Sequence, residues 1–114
     1  MAITLYGIPN CDTVKKARVF LDAQGHAFAF HDFRKDALRE DMVRVWLKAQ
    51  PMDKLLNKRG TSWRKLDDAD KANEDEAHLV ALMVANPTLI KRPVIDHDGQ
   101  ITVGFTDDVK ALFG

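Results

Sequence analysis

Cysteine is almost absent from this chain, because Cys11 is the only one among 114 residues. A single thiol cannot form an internal disulfide, whereas small secreted domains are commonly held together by several disulfides. The first residues also lack a basic segment followed by a long apolar one, so no signal peptide is predicted. These absences together predict a cytoplasmic protein in a reducing compartment.

Net charge and long apolar runs are missing as well. Lysine plus arginine and aspartate plus glutamate each number 17, so the formal net charge is zero. No run approaches the roughly 20 apolar residues of a membrane-spanning helix. We therefore expect neither a nucleic acid nor a membrane as a partner. Because 46% of the residues are hydrophobic, we expect a folded core, in a single domain spanning residues 1–114.

The histidines offer no evident metal site. The sequence has four, His26, His31, His78 and His97, and no visible partner set accompanies them that would complete a metal centre. We expect surface or strand-edge histidines and no bound metal.

The first third of the chain follows a strand–helix–strand pattern. Ile3–Tyr6 is short, apolar and partly β-branched, which favours a buried strand. A helix is predicted from Asp12, and Gly25 is a natural terminator because glycine readily adopts the left-handed conformation of helix ends. A second strand is predicted over Ala27–Phe33, with Phe28, Phe30 and Ala29 buried. The apolar face of the helix is predicted to contain Val14, Ala17 and Leu21.

The middle of the chain is predicted to be helical. Asp36 is a candidate N-cap for a helix that ends at Gln50-Pro51. A further helix is predicted over about Asp75 to Ala85, stopped by Asn86-Pro87 because the residue before a proline avoids helical dihedrals. Together they predict a helical insertion over about residues 36–86. The buried face of the first of these helices is predicted to be Met42, Val45, Trp46 and Ala49.

The last third has the signature of a hairpin followed by a helix. Two short strands, Val94-Ile95 and Ile101–Val103, flank Asp98-Gly99, a strong two-residue turn signal. Thr106-Asp107 can then cap a terminal helix. The inward residues of that helix are predicted to be Val109, Leu112 and Phe113.

The element order is therefore βαβ, helices, then ββα. This order predicts an α/β fold with a mixed four-stranded, thioredoxin-like sheet and a helical insertion after the second strand. Other α/β arrangements also fit the pattern.

Cys11 lies where a Gly/Pro loop enters the first predicted helix. Amides in the first turn of a helix lack intrahelical acceptors, and the helix dipole places partial positive charge at that end. Both effects stabilise a thiolate, and Lys15, one turn further on, adds positive charge. The alternative is a cysteine packed as a small hydrophobe; the loop-to-helix position favours a reactive thiol.

No other thiol in the chain can resolve a mixed disulfide formed by Cys11. The residue three positions later is Val14, so the sequence is Cys-Asp-Thr-Val rather than Cys-x-x-Cys. A reductive cycle must take its second thiol from another molecule, and glutathione is the abundant cytosolic candidate.

Arg92-Pro93 immediately precedes the third strand. A trans proline is tolerated at a strand start, since it need not donate to the ladder. In a thioredoxin-like sheet, the matching proline faces the catalytic cysteine and follows a cis peptide bond. We therefore expect a cis Arg92-Pro93 bond if the fold is of this type.

Three segments together resemble the arsenate-reductase-like (ArsC/Spx) family, and most closely its YffB-type branch. They run from Tyr6 to Ala17 with the motif Tyr-Gly-Ile-Pro-Asn-Cys, from Leu56 to Thr61, and from Lys91 through Val94-Ile95 to Val103-Gly104-Phe105. The resemblance covers essentially the whole chain in order. It implies a thioredoxin-like core, and a cysteine thiolate that attacks an oxyanion or disulfide while arginines neutralise the bound anion.

The resemblance assigns roles to individual residues. Cys11 matches the nucleophile, Arg59 an anion-binding arginine, and Arg92 the arginine before the cis proline. Guanidinium groups suit carboxylates and oxyanions because they donate two parallel hydrogen bonds. The candidate substrate- and glutathione-binding residues are Asn10, Asp12, Thr13, Lys15, Arg59, Arg92 and Pro93.

Two departures from the family pattern bear on the substrate. Arsenate reductases of this type have a histidine four residues before the cysteine, where this chain has Gly7, and a third arginine where it has Gly104-Phe105. The regulatory Spx branch typically carries Cys-x-x-Cys, which Val14 interrupts. We therefore expect a glutathione-dependent thiol–disulfide oxidoreductase that uses glutathione as cosubstrate and acts on a thiol or disulfide. The alternatives are an arsenate reductase and a non-catalytic, Spx-like module that binds a protein partner.

Overall fold

The computed structural model describes residues 2–114, and the chain divides into two compact units. One unit runs up to Ala37 and resumes at Arg92–Gly114; the other is Leu38–Lys91. The first unit contains all four strands and the second contains helices. No helix in the described part of the chain is long and apolar enough to cross a membrane.

The first unit has the order β1-α1-β2 followed by β3-β4-α7. Its elements are β1 (Ile3–Gly7), α1 (Asp12–Ala23), β2 (Ala29–Asp32), β3 (Val94–His97), β4 (Gln100–Val103) and α7 (Asp107–Ala111). The sheet order is β2-β1-β3-β4; β1 pairs with β2 in parallel, and β3 is antiparallel to both β1 and β4. The predicted α/β class with a mixed four-stranded sheet is confirmed.

The core of this unit lies between α1, α7 and the sheet. The apolar residues of α1 recur at helical spacing and are fully buried, as predicted. In β1, buried residues alternate with half-buried ones. Phe28 and Phe30 pack against this core but are only half-buried, and Ala29 is exposed, so this segment contributes less to the core than predicted. The buried residues of the cluster are Ile3, Leu5, Val14, Ala17, Leu21, Ile95, Val109 and Phe113.

Turns in the first unit occur where the sequence places glycine. Gly25 follows α1 with a φ of 79°, and the β3–β4 turn has positive φ at both Asp98 (52°) and Gly99 (90°). Positive φ at both central residues defines the type I′ turn that the Asp-Gly pair predicts. Thr106 is the N-cap of α7 as predicted. Val109 and Phe113 are buried as predicted, but Leu112 is exposed.

The second unit is built from five α-helices and one 3-10 helix within residues 38–91. They are α2 (Glu40–Ala49), α3 (Met52–Leu55), α4 (Thr61–Arg64), α5 (Asp68–Ala72), α6 (Glu76–Ala85) and the 3-10 helix Pro87–Leu89. The predicted helix stops at Gln50-Pro51 and Asn86-Pro87 are confirmed. The core of this unit consists of Val43, Trp46, Leu55, Leu56, Leu79, Val80, Met83, Leu89 and Ile90.

The start and the buried face of α2 differ from the prediction. Asp36 does not cap the helix, because its carboxylate accepts a hydrogen bond from the Asp32 amide at 3.0 Å and closes a turn after β2. The N-cap is Arg39. Val43 and Trp46 are buried, whereas Val45 and Ala49 are exposed and Met42 is half-buried. Trp46 therefore lies on the buried face as predicted, whereas Val43 is buried in place of Met42, Val45 and Ala49.

Candidate active site

Cys11 is the N-cap residue of α1. Its backbone is extended (φ −97°, ψ 125°), and its carbonyl accepts the first helical hydrogen bond, from the Lys15 amide at 2.9 Å. Its own amide donates to the Ile8 carbonyl at 3.4 Å, which closes the loop after β1. The side chain is half-buried against the core, so the thiol is both held in place and accessible.

The surroundings of the thiol favour its ionised form. Partial burial by itself raises the pKa of Cys11, but the Val14 amide, the Arg92 guanidinium and the Thr13 amide hydrogen-bond to the sulfur, and the charge of Arg92 acts in addition. Together they outweigh burial, and the pKa of Cys11 lies below its ordinary value of 9.0. The sulfur therefore has the two-amide and one-arginine surroundings of an anion site.

The sheet register explains how Arg92 reaches Cys11. Strands β1 and β3 are antiparallel, and Tyr6, near the end of β1, pairs with Val94, the first residue of β3. The chain before Val94 consequently lies at the same sheet end as the loop from β1 to Cys11. Arg92 is in that position, and its guanidinium meets the sulfur. The strand pairing thus places this arginine beside the thiol.

Pro93 is buried and follows a cis peptide bond, as predicted. Its carbonyl accepts a hydrogen bond from the Gly104 amide at 2.8 Å, and Gly104 has a φ of 81°. This bond connects the end of β4 to the chain beside Cys11.

The remaining predicted site residues of the first unit cluster around the start of α1. Asn10 and Lys15 are exposed, and Asp12 and Thr13 open the helix with exposed side chains. Of these four residues, Thr13 stabilises the Cys11 thiolate, and it does so through its backbone amide. The charge of Lys15, which the sequence suggested as a further stabilising influence, is not among the causes that lower the pKa of Cys11.

Arg59 belongs to the second unit. Its amide donates to Asn57 Oδ1 at 3.0 Å, and its side chain is exposed. Together with Lys58 and Lys91 it lines an open pocket of about 710 Å³ within residues 38–91. Glu74 also lines this pocket, and its Oε1 lies 3.7 Å from Lys58 Nζ. This carboxylate therefore neutralises part of the positive charge of the pocket. The role predicted for Arg59 stays a prediction.

The contribution of Val14 to the site was not singled out from the sequence. Val14 was noted only for breaking a Cys-x-x-Cys pattern, yet its amide is the strongest of the influences that lower the pKa of Cys11. Its side chain also packs against Gly7: a Cβ added at Gly7 would lie 2.7 Å from Val14 Cγ2. Only the general rule for helix N-termini pointed to the first role.

No group of three or more histidine, cysteine, aspartate or glutamate side chains among residues 2–114 is arranged to hold a metal ion. The histidines of this part of the chain have other contacts. His26 and His31, for example, pair with the carbonyls of Phe113 and Ala37 at 2.7 and 2.6 Å.

The chain is similar to known proteins in sequence and in fold. The family model described as "ArsC family" matches residues 6–112, nearly the whole chain. The chain belongs to the ArsC family. This ArsC-family chain is similar to the solved structure of a protein described as YffB, at 43% identity, 97% coverage of each chain and a TM-score of 0.92. The predicted family and thioredoxin-like fold class are thereby confirmed.

Other ArsC-family relatives differ in what their names describe. An arsenate reductase (ArsC) related protein from Brucella melitensis is 42% identical, with 99% of this chain and 94% of that chain covered and a TM-score of 0.78. The global transcriptional regulator Spx of Streptococcus mutans is 28% identical and matches 93% of this chain and 78% of its own length. The family thus includes proteins named for reductase chemistry and for regulation.

Proposed function

We propose that the chain is a glutathione-dependent thiol–disulfide oxidoreductase with Cys11 as its only nucleophile. The observation that carries this proposal is the accessible Cys11 sulfur, which accepts hydrogen bonds from two helix amides and the Arg92 guanidinium, contacts that favour a thiolate by lowering the pKa of Cys11. A thiolate is the attacking species in disulfide exchange. Because the chain has one cysteine, the thiol that completes the cycle comes from glutathione, as expected in a reducing cytoplasm.

The first step transfers glutathione to the enzyme. The Cys11 thiolate attacks the glutathione sulfur of a mixed disulfide between glutathione and a substrate thiol. A sulfur–sulfur bond forms between Cys11 and glutathione, the original one breaks, and the substrate leaves as a thiolate that takes a proton from water. The substrate is reduced and Cys11 is oxidised to the mixed disulfide.

The second step restores the enzyme. The thiolate of a second glutathione attacks the glutathione sulfur attached to Cys11, giving oxidised glutathione and the Cys11 thiolate. A thiol of lower pKa is the better leaving group, so Arg92 and the amides of Thr13 and Val14 favour this step as well as the first. In sum, the substrate gains two electrons, and two glutathione sulfurs are joined.

Glutathione carries two carboxylates, which the site must bind. We propose that Arg92 and the first-turn amides of α1 bind these carboxylates, that Asn10, Asp12, Thr13 and Lys15 contact the rest of the tripeptide, and that the backbone at Pro93 pairs with its main chain. Arg59 keeps the anion-binding role that the family resemblance implies. Bidentate guanidinium–carboxylate pairs support this assignment. Substitution of Arg59 by glutamine would raise the KM for glutathione without changing the pKa of Cys11, if Arg59 binds a carboxylate.

Turnover tests the proposal. Reduction of hydroxyethyl disulfide by glutathione is followed through NADPH oxidation by glutathione reductase, for the native chain and for Cys11→Ser. We expect turnover by the native chain and background rates for the variant. Equal rates for the two proteins would overturn the proposal.

A second candidate function is regulation through a protein partner. The relative named Spx, matched along 93% of this chain, favours it. A stoichiometric partner retained by the Cys11→Ser protein, together with an ordinary Cys11 pKa, would favour regulation over catalysis. Arsenate reduction is the weaker alternative, since Gly7 and Phe105 stand where a histidine and an arginine are expected for that chemistry.

A further inference from the structure

A second concave surface lies along α1, beyond Cys11 and within the same unit. It is a groove of about 460 Å³ between α1, α7 and the segment after β4. Aromatic and aliphatic carbon forms its floor, and Val19 in it is 67% exposed. The residues that line it include Lys15, Lys16, Val19, Phe20, Phe105 and Lys110.

The floor of the groove is a built aromatic pair. The rings of Phe20 and Phe105 meet edge to face with their centroids 5.5 Å apart, and both pack against the core of the unit. Such a pair is rigid and apolar, which suits the burial of an apolar side chain. Val19, from the adjacent position on α1, extends this surface outward.

Cations alone provide the charge of the groove. Its three charged lining residues are lysines, and no carboxylate lines it. Lys110 Nζ lies 5.6 Å from the centre of the Phe105 ring. In residues 2–114, the ammonium groups of Lys15 and Lys16 form no ion pair with a carboxylate. An occupant that carries carboxylates next to an apolar side chain is therefore complementary to this groove.

The groove is connected to the thiol at two points. Lys15 is one helical turn from Cys11, and its amide donates to the Cys11 carbonyl. Phe105 follows Gly104, whose amide binds the carbonyl of Pro93 beside the active site. The groove and Cys11 are thus linked through α1 and through the Gly104–Pro93 hydrogen bond.

We propose that this lysine-edged groove (Lys15, Lys16, Val19, Phe20, Phe105 and Lys110) binds an acidic protein segment that presents an apolar side chain next to the sulfur on which Cys11 acts. The inference rests on the proposed function for that last point. It names the substrate class: glutathionylated proteins whose modified cysteine is flanked by apolar and acidic residues.

Binding to the Cys11→Ser protein tests the groove without requiring chemistry. The probe is a fluorescein-labelled peptide with phenylalanine and leucine between aspartates, and the matched peptide has lysines in place of the aspartates. Fluorescence anisotropy should show tighter binding of the acidic peptide by about tenfold, declining as salt is raised. Equal binding of the two peptides would overturn the inference.

Variants in the native chain locate the binding. Lys16→Glu with Lys110→Glu should weaken binding of the acidic peptide by about tenfold, and Val19→Ser should weaken it without a change of charge. The matched control is Arg34→Glu with Lys35→Glu, which gives the same change of net charge at exposed residues outside the groove. A loss as large in the control, or a groove covered by a second copy in a dimer that Val19→Ser dissociates, would contradict the proposal.

The two proposals fail in different ways. If hydroxyethyl disulfide is turned over but the acidic peptide is not preferred, the groove inference is wrong and the oxidoreductase proposal stands. If the peptide binds through Lys16, Lys110 and Val19 but Cys11 supports no turnover, the docking surface stands and the oxidoreductase proposal is wrong.

Discussion

The Cys11 thiol illustrates how three neighbouring groups can reverse the effect of burial. Removal from water disfavours a thiolate, yet the amides of Val14 and Thr13 and the guanidinium of Arg92 stabilise the negative charge by more than burial costs. Two of these groups follow from the helix start alone. Strand pairing brings Arg92 to the sulfur. Substitution of Arg92 therefore separates its effect on the pKa of Cys11 from the effect of the two helix amides.

Arg92→Gln should raise the pKa of Cys11. The substitution removes both the hydrogen bond and the positive charge of the guanidinium, while the two amides remain. Arg92→Lys, which keeps the charge but loses the planar donor, should give an intermediate pKa. The ultraviolet absorbance of the thiolate, followed against pH, measures the pKa of Cys11 in all three proteins. An unchanged pKa in Arg92→Gln would contradict the assigned role.

Gly7→Ala should destabilise the protein through a contact of atoms rather than through backbone conformation. The new Cβ would lie 2.7 Å from Val14 Cγ2, in a buried position. Overpacking of this kind costs about 1–3 kcal/mol. Urea unfolding measures the loss, and the same substitution in a Val14→Ala background should cost less. An equal cost in both backgrounds would show that Val14 is not the obstacle.

The same contact gives a physical reason for glycine at position 7. Any larger residue there would direct its Cβ toward Val14. This constraint could not be inferred from either residue separately, because it arises only when β1 and α1 pack together.

At the scale of elements, the sequence predicted best where one residue fixes the backbone. Gly25 ends α1, Asp98-Gly99 makes the type I′ turn, and prolines follow the ends of α2 and α6. Prediction was poorer for α2, where two apolar pairs, Met42-Val43 and Val45-Trp46, present adjacent stripes. Periodicity cannot decide which stripe is buried, because the two differ by only one residue.

Val43 and Val45 provide a matched test of the buried face of α2. Val43 is fully buried, whereas Val45 is 52% exposed. Val43→Ala should lower the free energy of unfolding by about 2 kcal/mol through lost burial and a cavity, and Val45→Ala by less than about 0.5 kcal/mol. Urea unfolding of both variants measures this. Equal costs would contradict the orientation of the helix.

At the scale of the whole molecule, the ionisation of Cys11 couples to folding. The pKa of Cys11 is lower in the folded chain than its ordinary value of 9.0. Between these two pKa values the unfolded state binds the extra proton, so stability rises with pH there. The contribution is fully present above the unfolded pKa and is lost as the pH falls through the folded pKa.

The stability of the native chain relative to Cys11→Ser should therefore increase with pH across that window. Urea unfolding in reducing buffer from about pH 6 to about pH 10, for both proteins, measures the difference. The difference should be flat below the folded pKa of Cys11 and should level off above its unfolded pKa. A difference that falls as pH rises would show that the pKa of Cys11 is raised instead.

The candidate site was predictable in part. The position of Cys11 at a helix start and the cis Arg92-Pro93 bond follow from local sequence and from the family resemblance. The groove did not, because Val19, Phe105 and Lys110 come from different elements and meet only through the packing of α1, α7 and the segment after β4. Residues that share a site without sharing a periodic pattern leave no signal in one sequence.

The most direct test of the account is the chemistry of Cys11 with glutathione itself. The native chain and Cys11→Ser are incubated with oxidised glutathione, weighed intact by mass spectrometry, and then treated with reduced glutathione. We predict one glutathionyl group on the native chain at Cys11, none on the variant, and removal of the group by reduced glutathione. An unmodified native chain, or an adduct that reduced glutathione does not remove, would contradict a monothiol glutathione cycle.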